Sequence, residues 1–320
     1  MPFHHVSDWC EASAQSTKGT RDKLILANPD TGDLYFLKFP MVKPGRDYTP
    51  ETWSEIIAYQ IGTALGFNVL KYELAEHNGR IGCISKNMIV PDRNETLIEG
   101  HSILSSFAPD YDPSDKDNYK RYSFSFVRDA LIAFQARDYI NEFIRILLFD
   151  AIIGNSDRHQ SNWGIIQTIE IRKSGWLKQI EKRTTVNRPA PIYDSGCCLG
   201  REFSEEQIIQ HLNTQSKFDK YIRNGLAELR IETGADRTSH DRLIQYIRHT
   251  NRGEWSLFIE SEIKKVITLY DPKEIKEIIT NIDCDLPDNI EEKYRMSLPR
   301  KEFVFKLIDT RVNNLKNLLQ

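Results

Sequence analysis

The stretch Tyr139–Gly164, YINEFIRILLFDAIIGNSDRHQSNWG, decides how this chain is read. Its first part, Tyr139 to Ile153, is strongly apolar and free of helix breakers, so it predicts a buried helix. That helix runs directly into a polar loop, Gly154-Asn155-Ser156-Asp157-Arg158-His159, followed by Asn162 and Gly164. A rigid apolar helix that delivers such a loop holds reactive groups in place. Six fixed polar or small residues in the string NxDRHxxNxG have little structural purpose, which makes a functional loop the better reading.

Downstream of this loop, Ile165–Ile171 and Pro191–Tyr193 read as two strands around a basic stretch that contains Lys173, Lys178, Lys182 and Arg183. The stretch is expected to be a solvated hairpin inserted at the edge of a cleft. Asp194 then ends a strand-like run in Ile192-Tyr193-Asp194-Ser195-Gly196. Cys197 and Cys198 follow and are expected to be small packing residues. From about Glu205 the pattern is helical to the end, closing with an amphipathic helix after Pro299 that carries Val304, Leu307, Ile308, Val312, Leu315 and Leu319.

Upstream, residues 23 to 39 alternate as a hairpin turned at Asn28–Asp33, which puts Lys38 late in a strand. Thr49-Pro50 reads as a hydroxyl cap with proline in the first turn. Trp53, Ile56, Ile57, Ile61, Ala64 and Leu65 follow at helical spacing before Gly66, and Glu55 lies within this helix. Strand-like runs at Val69–Leu74 and Ile81–Val90 flank a His77-Asn78-Gly79 turn. Phe107–Lys120, rich in Asp and Pro, reads as an exposed connection. The expectation is an α+β, bilobed molecule: a small β-rich lobe with one helix over residues 1–97, and a larger, mainly helical lobe over 98–320.

Phosphoryl transfer from ATP requires a lysine on the phosphates, oxygen ligands for Mg²⁺ and a carboxylate that accepts the proton of the attacking hydroxyl. Lys38, Asn162 with Asp194, and Asp157 supply candidates for each. Asp157 and Asn162 stand five positions apart, the Asp-to-Asn interval of a protein-kinase catalytic loop. These residues, the Tyr193-Asp194 pair and the strand lysine together resemble the HipA-like serine/threonine kinases, most of all their compact CtkA/HipT-type members. The resemblance runs by motif from about Ala12 to Asp194.

It implies a protein-kinase-like fold and ATP- and Mg²⁺-dependent phosphorylation of serine or threonine, often including self-phosphorylation. Residue by residue, it makes Asp157 the catalytic base, Asn162 and Asp194 the metal ligands, and Lys38 the residue on the α/β-phosphates. Glu55 becomes the partner that orients Lys38, and His159 supports the loop. Ser13-Ala14-Gln15-Ser16-Thr17-Lys18-Gly19 resembles the family's phosphate-binding loop, with Ser13 where a Gly-Ala-Gln-x-Lys pattern has glycine. Ser13, Gln15, Ser16, Thr17 and Lys18 would then face the nucleotide, and Ser13, Ser16 and Thr17 are candidate self-phosphorylation sites. The family also suggests a toxin of a toxin-antitoxin pair restrained by a small antitoxin partner, or an effector delivered to a host cell.

Composition narrows the partners. With 43 Lys+Arg against 46 Asp+Glu the net charge is -3, so no global basic field points to nucleic acid or an anionic membrane. The amino terminus lacks a signal-like apolar segment and no run of apolar residues is long enough to span a bilayer, so a cytoplasmic location is expected. Five cysteines without paired CxxC spacing read as reduced thiols. His4-His5 lacks spaced partners and is not expected to bind metal. Two other readings remain open: a phosphoinositide or small-molecule kinase, since an Asp-Arg-His-x-x-Asn loop occurs there too, and a pseudokinase acting as a binding module.

Overall fold

Alternating side chains between Lys23 and Phe39 do form the hairpin on which the sheet is built. The computed structural model describes residues 2–12, 22–41, 47–112, 115–174 and 180–320. Four short strands come first: β1 (Phe3–His5), β2 (Cys10–Glu11), β3 (Lys23–Ala27) and β4 (Leu34–Lys38). Helix α1 (Thr49–Ala64) follows, then β5 (Glu73–His77) and β6 (Arg80–Lys86). These strands make one six-stranded sheet in the order β1-β5-β6-β4-β3-β2, with β1 parallel to β5.

The sheet is covered on both faces, which is why β6 is buried continuously from Ile81 to Ser85 rather than in alternation. Leu74, Ile81 and Cys83 join the main core with Trp53, Ile56, Ile57 and Ile61 of α1. Leu37, Ala75 and Ile84 point the other way, into a smaller cluster with Val6 and Leu26 that Trp9 packs against. Lys38, one residue beyond Leu37 and in register with Cys83, therefore lies on the α1 face.

The rest of the chain is mainly helical. Strand β7 (Glu95–Glu99) leads into α2 (Gly100–Phe107), α3 (Phe124–Ala133) and α4 (Tyr139–Ile153). The hairpin of β8 (Gly164–Ser174) and β9 (Ile180–Pro189) pairs with β7 in a separate three-stranded sheet. Helices α5 (Glu205–Asn213) and α6 (Gln215–Asn224) precede a small hairpin, β10 (Leu226–Arg230) with β11 (Arg237–Ser239). Helices α7 (His240–His249), α8 (Ser256–Leu269), α9 (Pro272–Thr280) and α10 (Leu298–Asn317) complete the chain. Among the described residues no helix is long and apolar enough to cross a membrane.

Several local expectations are corrected. The second strand of the inserted hairpin is Ile180–Pro189, not Pro191–Tyr193, because Thr168 to Ser174 continue pairing outward with it. Ile192 instead makes an isolated parallel bridge to Val69, with Ile192 N donating to Asn68 O at 2.8 Å. Thr49 is the first helical residue rather than the cap; its backbone N–H donates to the Asp47 carboxylate at 2.8 Å. The Phe107–Lys120 segment is not wholly exposed, since Tyr111 is buried with its ring 5.0 Å from Phe126. The carboxy-terminal part is not purely helical, because β10 and β11 interrupt it. Strands β1 and β2 had no sequence signal.

Helix α4 is the buried axis of the helical part. Phe149 on it is fully buried, with its ring 5.1 Å from Phe67 and packed beneath Gly62 of α1. Phe149→Ala is expected to destabilise the protein by about 3–5 kcal/mol. The drop in the urea-unfolding midpoint at unchanged slope measures it.

Candidate active site

Lys38, at the end of β4, points at two carboxylates. Its Nζ lies 3.2 Å from Glu55 Oε1 on α1 and 2.9 Å from Asp194 Oδ1. Tyr72 OH is 3.5 Å from the same nitrogen and accepts from the Asp194 N–H at 3.4 Å. Burial alone would lower the Lys38 pKa, but the Asp194 and Glu55 charges outweigh it and hold the ammonium well above the ordinary lysine range. Burial pushes the Glu55 carboxyl upward, against the pull of Lys38. The second Glu55 oxygen accepts the Ser195 N–H at 2.8 Å, so one helix residue grips both the lysine and the loop after Asp194.

The polar loop after α4 is held from beneath by Arg158, which is 1% exposed. Its guanidinium pairs with Asp150 of α4 at 2.9 Å, and Asp150 also accepts from the Asn155 amide at 3.0 Å. Arg158 Nη1 donates to Asn162 O at 2.8 Å and to Tyr193 O, while Nη2 donates to Ser195 Oγ at 3.2 Å. A single buried cation thus ties the Asp157–Asn162 loop to the Asp194 loop. Tyr122 OH caps Arg158 O at 3.0 Å and accepts from Trp163 Nε1 at 3.0 Å.

Within the loop, the Asp157 N–H donates to Asn155 Oδ1 at 3.2 Å, and the Asn162 amide donates to Asp157 O at 2.9 Å. His159 accepts the Ser161 N–H at Nδ1, 3.2 Å away, an intraloop brace. Asp194 itself has φ of 56°, a left-handed conformation that Asp tolerates at a cost of order 1 kcal/mol.

The structure therefore brings Lys38, Glu55, Asp194, Asn162, Asp157 and His159 into one region. Ser13, Gln15, Ser16, Thr17 and Lys18 lie outside the described residues, as do Gly19 and Lys178; the side chains of Lys173, Lys182 and Arg183 are likewise not described. Among the described residues no group of three or more His, Cys, Asp or Glu forms a closed metal cage. Asn162 and Asp194 each carry a hard oxygen donor, the donor type that a divalent cation such as Mg²⁺ takes.

The roles of three residues were missed from sequence. Arg158 belongs to the loop motif, but nothing local marks it as a buried cation rather than a solvent-facing arginine. Tyr72 gave no signal. Lys23 could have been found from the hairpin alternation: it stands directly opposite Lys38 across β3 and β4, on the same face. Burial and the nearby Lys38 charge hold its pKa below the ordinary lysine value, against the opposing pull of Asp194 and Glu99. Cys198 is buried as expected, but Cys197 is half-buried and touches Asp157, its Sγ 3.2 Å from Oδ2. His4 and His5 face Glu73 and Glu76 of β5 at 3.3 Å each.

A family model described as HipA-like C-terminal domain matches residues 15–255. Among curated proteins, the serine/threonine-protein kinase CtkA of Helicobacter pylori strain J99 is 27% identical over 177 residues, 52% of this chain and 47% of that protein. The chain so spans about half the length of the curated relative it matches. Among solved structures, the proinflammatory kinase CtkA of Helicobacter pylori superposes with a TM-score of 0.73 at 21% identity, covering 99% of this chain and 96% of that one. A chain of the Shewanella oneidensis MR-1 toxin-antitoxin complex of HipA, HipB and operator DNA superposes with a TM-score of 0.51 at 13% identity, covering 97% and 66% respectively. The fold is accordingly the bilobed, protein-kinase-like α+β fold.

The Asp150–Arg158 pair is nearly without solvent screening, so losing one partner strands the other charge. Asp150→Ala is expected to cost about 3–5 kcal/mol, and the double change Asp150→Leu with Arg158→Met to recover much of it. Chemical denaturation of the three proteins gives the comparison.

Proposed function

The chain belongs to the family of HipA-like C-terminal domains, and on that premise we propose that it is an ATP- and Mg²⁺-dependent serine/threonine protein kinase. The observation that carries this reading is the Lys38 ammonium held between Glu55 and Asp194, beside a loop in which Asp157 and Asn162 are fixed by Arg158. A cation paired with carboxylates, beside a loop that offers a further carboxylate and an amide, suits transfer of a charged phosphoryl group.

In this reading Lys38 takes the α/β-phosphates of ATP and Glu55 keeps its side chain extended. Lys23 is a second phosphate contact. Two ammonium groups in register on one sheet face repel each other, and a polyanion between them relieves that repulsion. Asn162 Oδ1 and the Asp194 carboxylate would hold Mg²⁺, which when bound would supply neutralisation of phosphate charge. Asp157 accepts the proton of a serine or threonine hydroxyl as its oxygen attacks the γ-phosphorus and ADP leaves. Lobes of 1–97 and 98–320 would enclose the nucleotide.

The substrate is a protein hydroxyl, and self-phosphorylation falls on Ser13 or Ser16 ahead of Thr17. The setting is cytoplasmic, as the toxin of a toxin-antitoxin pair with a small antitoxin partner, or as an effector delivered to a host. The likeness to CtkA and to HipA supports these assignments by family alone.

Incubation with labelled ATP and Mg²⁺ tests the proposal. Wild type should incorporate label into serine or threonine, and Asp157→Ala or Asp194→Asn should lose activity by on the order of 10²–10³-fold. Lys23→Ala should raise KM for ATP more than it lowers kcat. Equal incorporation by wild type and Asp157→Ala removes the assignment.

A further inference from the structure

Asp157 is anchored by its backbone, but a base must also present a chosen oxygen, and a loop carboxylate turns freely about its terminal bond. One contact restrains it. Cys197 Sγ lies 3.2 Å from Asp157 Oδ2, placed to donate its proton there. Among the described residues no hydrogen bond reaches the other oxygen, Oδ1. We propose that Cys197 is a positioning residue: its thiol holds Oδ2 and thereby leaves Oδ1 to receive the proton of the incoming hydroxyl. The role rests on the phosphotransfer reading above.

The sulfur does not sit there by chance packing. Arg201 Nη2 donates to it at 3.2 Å, and Arg201 Nη1 pairs with Glu51, which is buried on α1. The Ser156 N–H donates to Cys197 O at 3.4 Å, fixing the cysteine backbone against the loop that carries Asp157. With Arg201 donating to the sulfur, the thiol proton is directed at the carboxylate. The chain Asp157–Cys197–Arg201–Glu51 thus ends one helical turn from Glu55. Helix α1 therefore reaches both halves of the site: Glu55 sets Lys38, and Glu51, through two side chains, sets the base. A displacement of α1 would loosen Lys38 and the base together.

Two measurements test the role. Removing the thiol in Cys197→Ala is expected to lower kcat about tenfold, with KM for ATP within twofold of wild type, because only the orientation of the base is lost. Cys197→Ser keeps a donor and should restore most of that rate. Unchanged kcat in Cys197→Ala, or a serine variant as slow as the alanine one with melting temperatures equal, overturns the proposal.

The second measurement does not need turnover: the rate of iodoacetamide labelling at Cys197, read by peptide mass spectrometry. A carboxylate beside the sulfur opposes the reactive thiolate and a guanidinium favours it. Labelling should accelerate several-fold in Asp157→Asn and slow in Arg201→Gln. Equal rates in all three proteins overturn the contact itself. Wild type without ATP-dependent transfer, but with this labelling pattern, would instead overturn the kinase reading and the positioning role with it, leaving the contact intact.

Discussion

The site depends on one buried ion pair. Arg158 and Asp150 are almost wholly removed from water, and a guanidinium in that position must find partners for nearly all its protons or the desolvation cost is not recovered. It finds them in Asp150, two backbone carbonyls and a serine hydroxyl. Those acceptors belong to helix α4, to the loop carrying Asp157 and Asn162, and to the loop carrying Asp194. Satisfying one charge therefore fixes the relative position of three segments. A hydrophobic replacement could fill the volume, but it could not specify the geometry, because apolar contacts carry no direction.

Above this floor the lysine cluster is assembled across a longer distance. Lys38 reaches from the sheet, Glu55 from α1 and Asp194 from the loop after Tyr193, far along the chain from the other two. Burial penalises the charges of Lys38 and Glu55, so each depends on its ion-pair partners. The left-handed backbone at Asp194 and the Ser195 N–H bond to Glu55 accompany a carboxylate that meets the Lys38 ammonium. Electrostatic work done during folding in this way need not be repeated during reaction.

Helix α1 has two tasks, which explains why it is buried around most of its circumference instead of showing a single apolar stripe. Ile56, Ile57 and Ile61 pack into the main core, while Glu51 and Glu55 are buried for their ion pairs. An amphipathic surface helix could tilt or slide with little loss. One whose polar residues are also buried is held in register by directional bonds on one side and close packing on the other.

Much of the placement of the candidate site residues was legible in the sequence because their elements are local. The period of α4 and the polar string after it are contained in one stretch, so Asp157 and Asn162 could be named from spacing, and alternation put Lys38 on a strand and helical spacing put Glu55 on the next helix. Asp194 was marked by its neighbours, although the strand expected before it was misplaced, since an eleven-residue β8 pairs farther along than its apolar pattern indicates. What the chain's pattern could not specify are the long-range directional contacts. Arg158 to Tyr193, Lys38 to Asp194, Cys197 to Asp157, the parallel placement of β1 on β5 and the β10–β11 hairpin join residues whose local sequence contains no trace of the partner. Periodicity records which face of an element meets apolar surroundings, whereas a hydrogen bond between distant loops exists only once the packed core has brought its two atoms within about 3 Å of each other.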